Sequence, residues 1–288
     1  MVALVLVSAL LHAAWSVSIK SSSRPLAFNM GQALLTLPIA TIGLTSMERD
    51  LLTPRLLGLA VGTGISHGLY FYWLSRALER ADLTLVYPIV RSTPALLPLL
   101  AVPFLGETPN LTGGLGIAVV VAGIWAVHGA GLRVSSLTAP ELRYAWLTLL
   151  ATVGYSLSDK AAMAALGRGD YRGWLPPALL WFCVLSLASS CVFLPLALRR
   201  VPAAELRRVL RTEGWRTTLA VGVGLVGYGL ILEAFGRAPA TYVVAVRQSS
   251  VLFAAFLGVA FLGEQPDRRR SIGTAATVAG VALIGFGG

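Results

Sequence analysis

Five ionisable side chains stand inside stretches of the chain that are otherwise apolar: Arg91, Asp159, Lys160, Glu233 and Arg247. A charge at bilayer depth is costly, so it faces a bundle interior or a cavity and takes a partner there. Three cations against two anions leave one positive charge spare, suited to a carboxylate or phosphate on a substrate. Arg91 and Arg247 are the first choices for that role, with Lys160 behind them. The competing account makes Arg247–Glu233 and Arg91–Asp159 structural ion pairs, or lets the side chains snorkel. Lys20, nearer a segment end, reads as an interface anchor. Glu233, His67 and Asp159 are the candidates for proton coupling, since carboxylates and imidazoles in such settings exchange protons. His67 lies between Gly64 and Gly68, so a plain hydrogen bond to a neighbouring helix competes with that role, and His12 is similar.

Aromatic and helix-breaking residues add to the set. Tyr87 and Trp15 are candidates for lining a pocket, with interfacial belts the alternative for aromatic residues in general, Trp73 and Trp174 above all. Pro88, Pro94, Pro98 and Pro103 fall in one segment. Proline removes a backbone donor, and the freed carbonyls are tolerated at membrane depth where they line a cavity or meet other helices. Pro88 and Pro94 therefore read as a kink that shapes packing and also as a hinge or gate. Glu107 and Glu264, each beside a glycine at a segment end, read as caps.

The elements that must position these groups are membrane helices. Of 288 residues, 56% are hydrophobic and 12% charged, with mean hydropathy +0.75. A soluble domain carries about 25% charged residues, and a disordered chain is poor in apolar ones. Two cysteines exclude a disulfide scaffold. The net charge of +10 comes from arginines between apolar stretches and has no recognition motif beside it, so no nucleic-acid partner is expected. Ten segments of roughly 20 apolar residues read as spans: 2–19, 27–46, 56–78, 83–105, 111–130, 144–166, 174–198, 216–236, 239–262 and 270–287. The first reads as a retained span and not a signal peptide. Residues 202–210 form an amphipathic stretch expected to lie along the surface.

The two halves repeat. Phe104-Leu105-Gly106-Glu107 recurs as Phe261-Leu262-Gly263-Glu264, an offset of 157. The same offset aligns Arg80-Ala81 with Arg237-Ala238, Ser92 with Ser249, Pro109 with Pro266, Gly116 with Gly273 and Val121-Ala122-Gly123 with Val278-Ala279-Gly280. It also sets Arg91 against Gln248, so Gln248 and Ser92 join the substrate-binding candidates. Ser16, Ser18 and Lys20 match Ser156, Ser158 and Lys160 at offset 140. The expected architecture is all-α and polytopic, with ten transmembrane helices as two five-helix repeats, 1–130 and 144–288, joined by 131–143. An odd number of helices per repeat inverts the second in the membrane, and inverted repeats place the site at their interface. With the N-terminus outside, the inner loops hold fifteen basic residues and the outer loops five, so the charge rule puts both termini outside.

Paired five-helix repeats, each with Leu-Gly-Glu closing the fourth helix before a Gly-rich fifth, resemble the drug/metabolite transporter superfamily, EamA type. Leu11-His12-Ala13-Ala14-Trp15 with Lys20 is similar to one bacterial branch, in which Asn often follows the Trp; here Ser16 stands there. The resemblance implies transport of amino acids, metabolites or drugs, and implies cytoplasmic termini, against the charge count. The expected function is therefore secondary transport of a small metabolite (an amino acid, another anionic or zwitterionic compound, or a drug) by alternating access. Export is the expected direction and the bacterial cytoplasmic membrane the expected location. Neither a cofactor nor a metal is called for, and no catalytic residues are assigned. The expected partners are the substrate and the bilayer. The chain is expected to be monomeric, with a homodimer through small-residue faces such as Gly58/Gly62 and Gly64/Gly68 as the alternative. Two other classes stay open: an accessory subunit for flipping a lipid-linked substrate, and a membrane enzyme acting on lipid with Asp159 or Glu233 as base.

Overall fold

Backbone N–H and C=O groups in hydrocarbon must be satisfied within their own segment, so the apolar stretches fold as helices. The computed structural model describes residues 1–80, 83–128, 140–167, 171–250, 253 and 268–287, with the backbone alone at 20, 83–85, 87, 128 and 270, and among these residues there is no strand. The helices are α1 (Val2–Lys20), α2 (Pro25–Gly43), α3 (Pro54–Arg80), α4 (Leu83–Val90), α5 (Thr93–Leu105), α6 (Leu111–His128), α7 (Arg143–Leu166), α8 (Pro177–Leu198), α9 (Ala203–Arg237), α10 (Ala240–Arg247) and α11 (Arg268–Gly287). Five stretches among the described residues are long and apolar enough to cross a membrane, lying in α1, α2, α4–α5, α8 and α9. The 27-residue α3 and 24-residue α7 fall outside that set. Their apolar runs are interrupted by Thr63, His67 and Ser75 in one and Thr148, Ser156 and Asp159 in the other, all buried. The two helices with mixed character pack on each other, and α3 also packs on α8.

Two predicted spans are not continuous. The fourth is divided at Arg91-Ser92 into α4 and α5, and the ninth opens as α10 and stops at Gln248-Ser249. Both interruptions are tight i→i−3 turns: Ser92 N–H bonds Ile89 O at 3.0 Å, and Ser249 N–H bonds Val246 O at 3.0 Å. They fall at positions related by the 157-residue offset. At the first, Pro94 has no N–H for the Val90 carbonyl, and the Thr93 hydroxyl bonds that oxygen instead at 3.2 Å. The second has no proline. The amphipathic stretch 202–210 is also not separate. It is the opening of α9, whose 35 residues reach about 52 Å at 1.5 Å each, well beyond a hydrocarbon layer of about 30 Å.

Helices α6 and α11 cross antiparallel through four glycines, Gly116 against Gly280 and Gly123 against Gly273. A Cβ at any of them would lie 2.7–2.9 Å from the facing carbonyl oxygen, closer than real contacts allow. Gly64 and Gly68 pack as tightly on Ala188 and Val192 of α8, so this small-residue face is used inside the chain. The outward surface carries large apolar side chains such as Phe104, Leu111 and Phe286, as lipid contact requires. Of the connection 131–143, residues 131–139 lie outside the described residues.

Candidate functional site

The interior holds a cavity of about 130 Å³ with a second chamber of about 60 Å³. His12, Trp15, Tyr70, Tyr155 and Arg247 line both and so form the partition. The larger chamber is walled by α1, α2, α3, α7, α8 and α9, mostly with aromatic and small residues. The smaller one reaches the two helix breaks: Val90, Arg91 and Thr93 on one side, Val244, Arg247 and Gln248 on the other. Across it, Arg91 Nη1 donates to Ser250 Oγ at 3.0 Å, so each half of the chain contributes a break and the two breaks touch.

Asp159, fully buried on α7, is held from three helices. Oδ1 accepts from the Thr63 hydroxyl of α3 at 2.6 Å and the Trp181 indole of α8 at 2.9 Å, and Oδ2 accepts from the Tyr228 hydroxyl of α9 at 2.5 Å. A buried carboxylate needs such donors, because leaving it unpaired would cost several kcal/mol, roughly. His67, one turn after Thr63, places Nδ1 3.0 Å from the Thr63 hydroxyl and Nε2 3.9 Å from Asp159 Oδ2. Its ring stacks on Tyr155 with centroids 4.0 Å apart and meets Tyr228 edge-on at 5.3 Å.

The other face of this group is cationic. The Arg247 guanidinium lies 5.1 Å from the Tyr228 ring centre, a cation–π contact, and Nη2 reaches His12 Nδ1 at 3.4 Å. Its Nε is buried without a partner, and among the described residues no carboxylate is within 4.0 Å of it. The next two residues repeat the pattern: Gln248 Oε1 and Ser249 Oγ are buried without hydrogen bonds. Buried polar atoms are nearly always bonded, so three vacancies in three consecutive residues mark a place shaped for something polar.

Two comparisons bear on what such a chamber belongs to. The model of the EamA-like transporter family matches residues 1–128 and again 144–286. The chain belongs to the EamA-like transporter family. It also superimposes on a solved protein crystal structure with a TM-score of 0.69, covering 97% of this chain and 94% of that one at 20% identity, a likeness of fold. No curated protein matches it in sequence. The chain is thus an integral, multi-pass membrane protein of a transporter family.

In this EamA-like chain the sequence candidates separate. Arg247, Arg91, Gln248, Trp15, His67 and His12 line the chambers, and Asp159 stands directly behind them. Neither ion pair of the competing account forms. Glu233 bonds Arg237, one turn on in α9, at a partly exposed helix end, because i,i+4 residues meet there and Arg247 belongs to another helix. Asp159 is met by neutral donors, and Arg91 turns to Ser250. Lys160 is drawn away from the cavity: its Nζ donates to Phe235 O at 2.6 Å and Ala238 O at 2.9 Å, closing the last turn of α9. Ser92 is a bracket for the first break, accepting from Trp125 at 2.9 Å and donating to Pro88 O at 2.6 Å. Pro88 and Pro94 both sit buried at that break. The side chains of Tyr87 and Lys20, and all of Glu264, lie outside the described residues.

Glu107 has a longer reach than a local cap. Gly106 is left-handed (φ 67°), which turns the chain after α5, and the Glu107 carboxylate then accepts the N–H groups of Ala240 and Thr241 at the start of α10. One motif of the first half therefore fixes the broken helix of the second.

Sequence reasoning predicted α2 and α8 as spans but placed no site residue on either. Trp15 Nε1 donates to Gln32 Oε1 at 2.8 Å, Gln32 to Asn29 at 2.9 Å and Asn29 to Ser75 at 3.0 Å, a buried ladder from the cavity wall into α3. Ser186, Ser189 and Ser190 line the opposite wall. The signal was available in principle: two amides three residues apart in an apolar segment, and three serines within one helix turn and a half.

Proposed function

We propose that this chain is a secondary transporter that carries a small metabolite bearing a carboxylate or phosphate, amino acids included, across the bacterial cytoplasmic membrane. The observation that carries the reading is Arg247: a guanidinium inside the bundle, facing a chamber, with Nε unpartnered and no carboxylate beside it among the described residues. An anion there would receive charge-assisted hydrogen bonds where the protein supplies none. The bare Gln248 oxygen next to it suits a donor on the same molecule, as the ammonium of a zwitterion would provide. The aromatic wall of the larger chamber accommodates the remainder.

Alternating access follows from the symmetry this reading assigns. Two inverted repeats, 1–130 and 144–288, would rock about a site at their interface. Contacts consistent with this exchange are the Gly116–Gly280 and Gly123–Gly273 pairs, which map onto each other when the halves are swapped by the 157-residue offset. The two breaks at offset positions, touching through Arg91 and Ser250, agree with it. The test is flux into and out of proteoliposomes holding the purified chain, with a panel of amino acids and phosphonates, for wild type and Arg247→Gln. Anionic or zwitterionic members should move in wild type and slow in the variant. Flux no greater than in protein-free vesicles across the panel overturns the reading.

A further inference from the structure

The hydrogens around Asp159 can be assigned by elimination. An indole N–H only donates, so Asp159 Oδ1 accepts from Trp181. The Thr63 hydroxyl has one proton, and at 2.6 Å from Oδ1 it gives that proton to the carboxylate. Toward His67 Nδ1, 3.0 Å away, Thr63 must then accept, so Nδ1 carries a hydrogen. Tyr228 gives its proton to Oδ2. Asp159, with three donors supplied, is the anion and needs no proton of its own. The open position is the other ring nitrogen. His67 Nε2 stands 3.9 Å from Oδ2, beyond hydrogen-bond reach, on a ring that lines the main cavity.

The geometry points to His67 as the proton carrier of this chain, with Asp159 as its fixed counter-ion, Thr63 as the residue that sets its tautomer, and Arg247 as the link between that proton and a bound anion. Among the described residues, the groups facing the imidazole are few. Helix α7 presents Asp159 and Tyr155, α9 presents Tyr228 and α10 presents Arg247, whose charge His67 feels. Helix α8 adds the indole of Trp181, and α2 brings neutral residues alone to the same cavity, Asn29, Gln32, Ala33 and Thr36. His12 and Arg91 stand farther along the chambers.

Tyr228 is the shared element. Its ring lies 5.1 Å from the Arg247 guanidinium and 5.3 Å from the His67 ring, while its hydroxyl holds Asp159. An unliganded Arg247 opposes a second positive charge on His67. An anion bound to Arg247 cancels that opposition, so anion binding and protonation of His67 favour each other. Cavity water gives the proton to Nε2 and later takes it back; only N–H and O–H bonds change. Anion and proton then cross together, and the two gradients set the direction of net movement. The crossing rests on the transport reading above, whereas the protonation does not.

Nitrogen NMR on histidine-labelled chain in lipid nanodiscs, without substrate, tests this. The chain has three histidines, and His67→Gln assigns the signal. The neutral His67 ring should carry its hydrogen on Nδ1 with Nε2 bare, and Nε2 should gain a proton as the sample is taken from about pH 8 to about pH 5. Asp159→Asn should lose the imidazolium signal, and Arg247→Gln should strengthen it at a given pH. Thr63→Val removes the hydroxyl but keeps the carboxylate and the Thr63 main-chain contact to the ring, so it should weaken the Nδ1 preference rather than abolish it. A neutral ring protonated on Nε2, or a wild-type ring that stays neutral throughout that range, overturns the proposal, whether or not Asp159→Asn folds. Flux of the amino-acid and phosphonate panel is measured separately. Flux indifferent to an imposed pH gradient overturns the coupling, and absent flux beside the expected spectrum overturns only the transport reading.

Discussion

Tyr228 touches two regions built to opposite rules. On its hydroxyl side, Asp159 has both oxygens filled by donors from α3, α8 and α9. On its ring side, Arg247 Nε, Gln248 Oε1 and Ser249 Oγ are left without partners. The first arrangement spends a buried charge on holding four helices together. The second leaves buried polar atoms without partners at the point where a helix stops, two of them on residues that line a chamber. Filled bonds build the frame, and the vacant ones are where the proposed substrate would find its partners.

The comparison breaks hardest at the frame. Asp159→Leu strands three buried donors and should destabilise the chain by about 3–5 kcal/mol, read as a lowered unfolding midpoint in detergent or nanodiscs. An unchanged midpoint would falsify the idea that Asp159 is structural. Arg247→Gln is the mirror case. It should leave the midpoint near wild type and cut flux of anionic substrates by about 10–100-fold, the worth of hydrogen bonds to a charged group. If stability falls and flux does not, the two regions have been assigned the wrong way round.

Smaller effects separate frame from site more finely. Gly123→Val drives a side chain against the Gly273 carbonyl and should destabilise by about 1–3 kcal/mol, seen in the same unfolding assay. Glu107→Ala uncaps α10 and should lower stability by about 1–2 kcal/mol. It should also loosen the start of α10, measured as faster hydrogen exchange at Ala240 and Thr241; exchange as slow as in wild type speaks against the cap. Glu233→Gln removes only a partly exposed i,i+4 pair and should change stability by about 0.5 kcal/mol or less, with flux intact. A large loss of flux in that variant would return Glu233 to the site.

Much of this was legible from the residues. Arg91, Arg247 and Asp159 could be singled out because charge is expensive in an apolar segment. Position along the chain, however, gives depth and not direction. Glu233 and Lys160 have the same sequence credentials as Asp159, yet helix phase and neighbours send one to Arg237 and the other to the last carbonyls of α9. The spare cation was inferred by counting charges. The pairing that count assumes does not form, since Asp159 is met by neutral donors and Glu233 by Arg237. Asn29 and Gln32 escaped notice because the residues were singled out by charge at depth, and a neutral amide carries none.

Sequence alone determined the solvent, the helical class and the internal repeat. Each follows from local composition or from comparing the chain with itself, and bilayer energetics leaves helices as the way to satisfy such backbones. It also marked the Leu-Gly-Glu turn, since a left-handed residue there demands glycine. Tertiary structure alone decided which partners those residues meet. Glu107 reaches across 133 residues of chain to Ala240, Thr63 reaches across 96 to Asp159, and Arg91 across 159 to Ser250. Hydrogen bonds need atoms within a few tenths of an ångström of their place. That placement is set by packed helices such as α6 on α11 and α3 on α7, and no spacing along the chain records it.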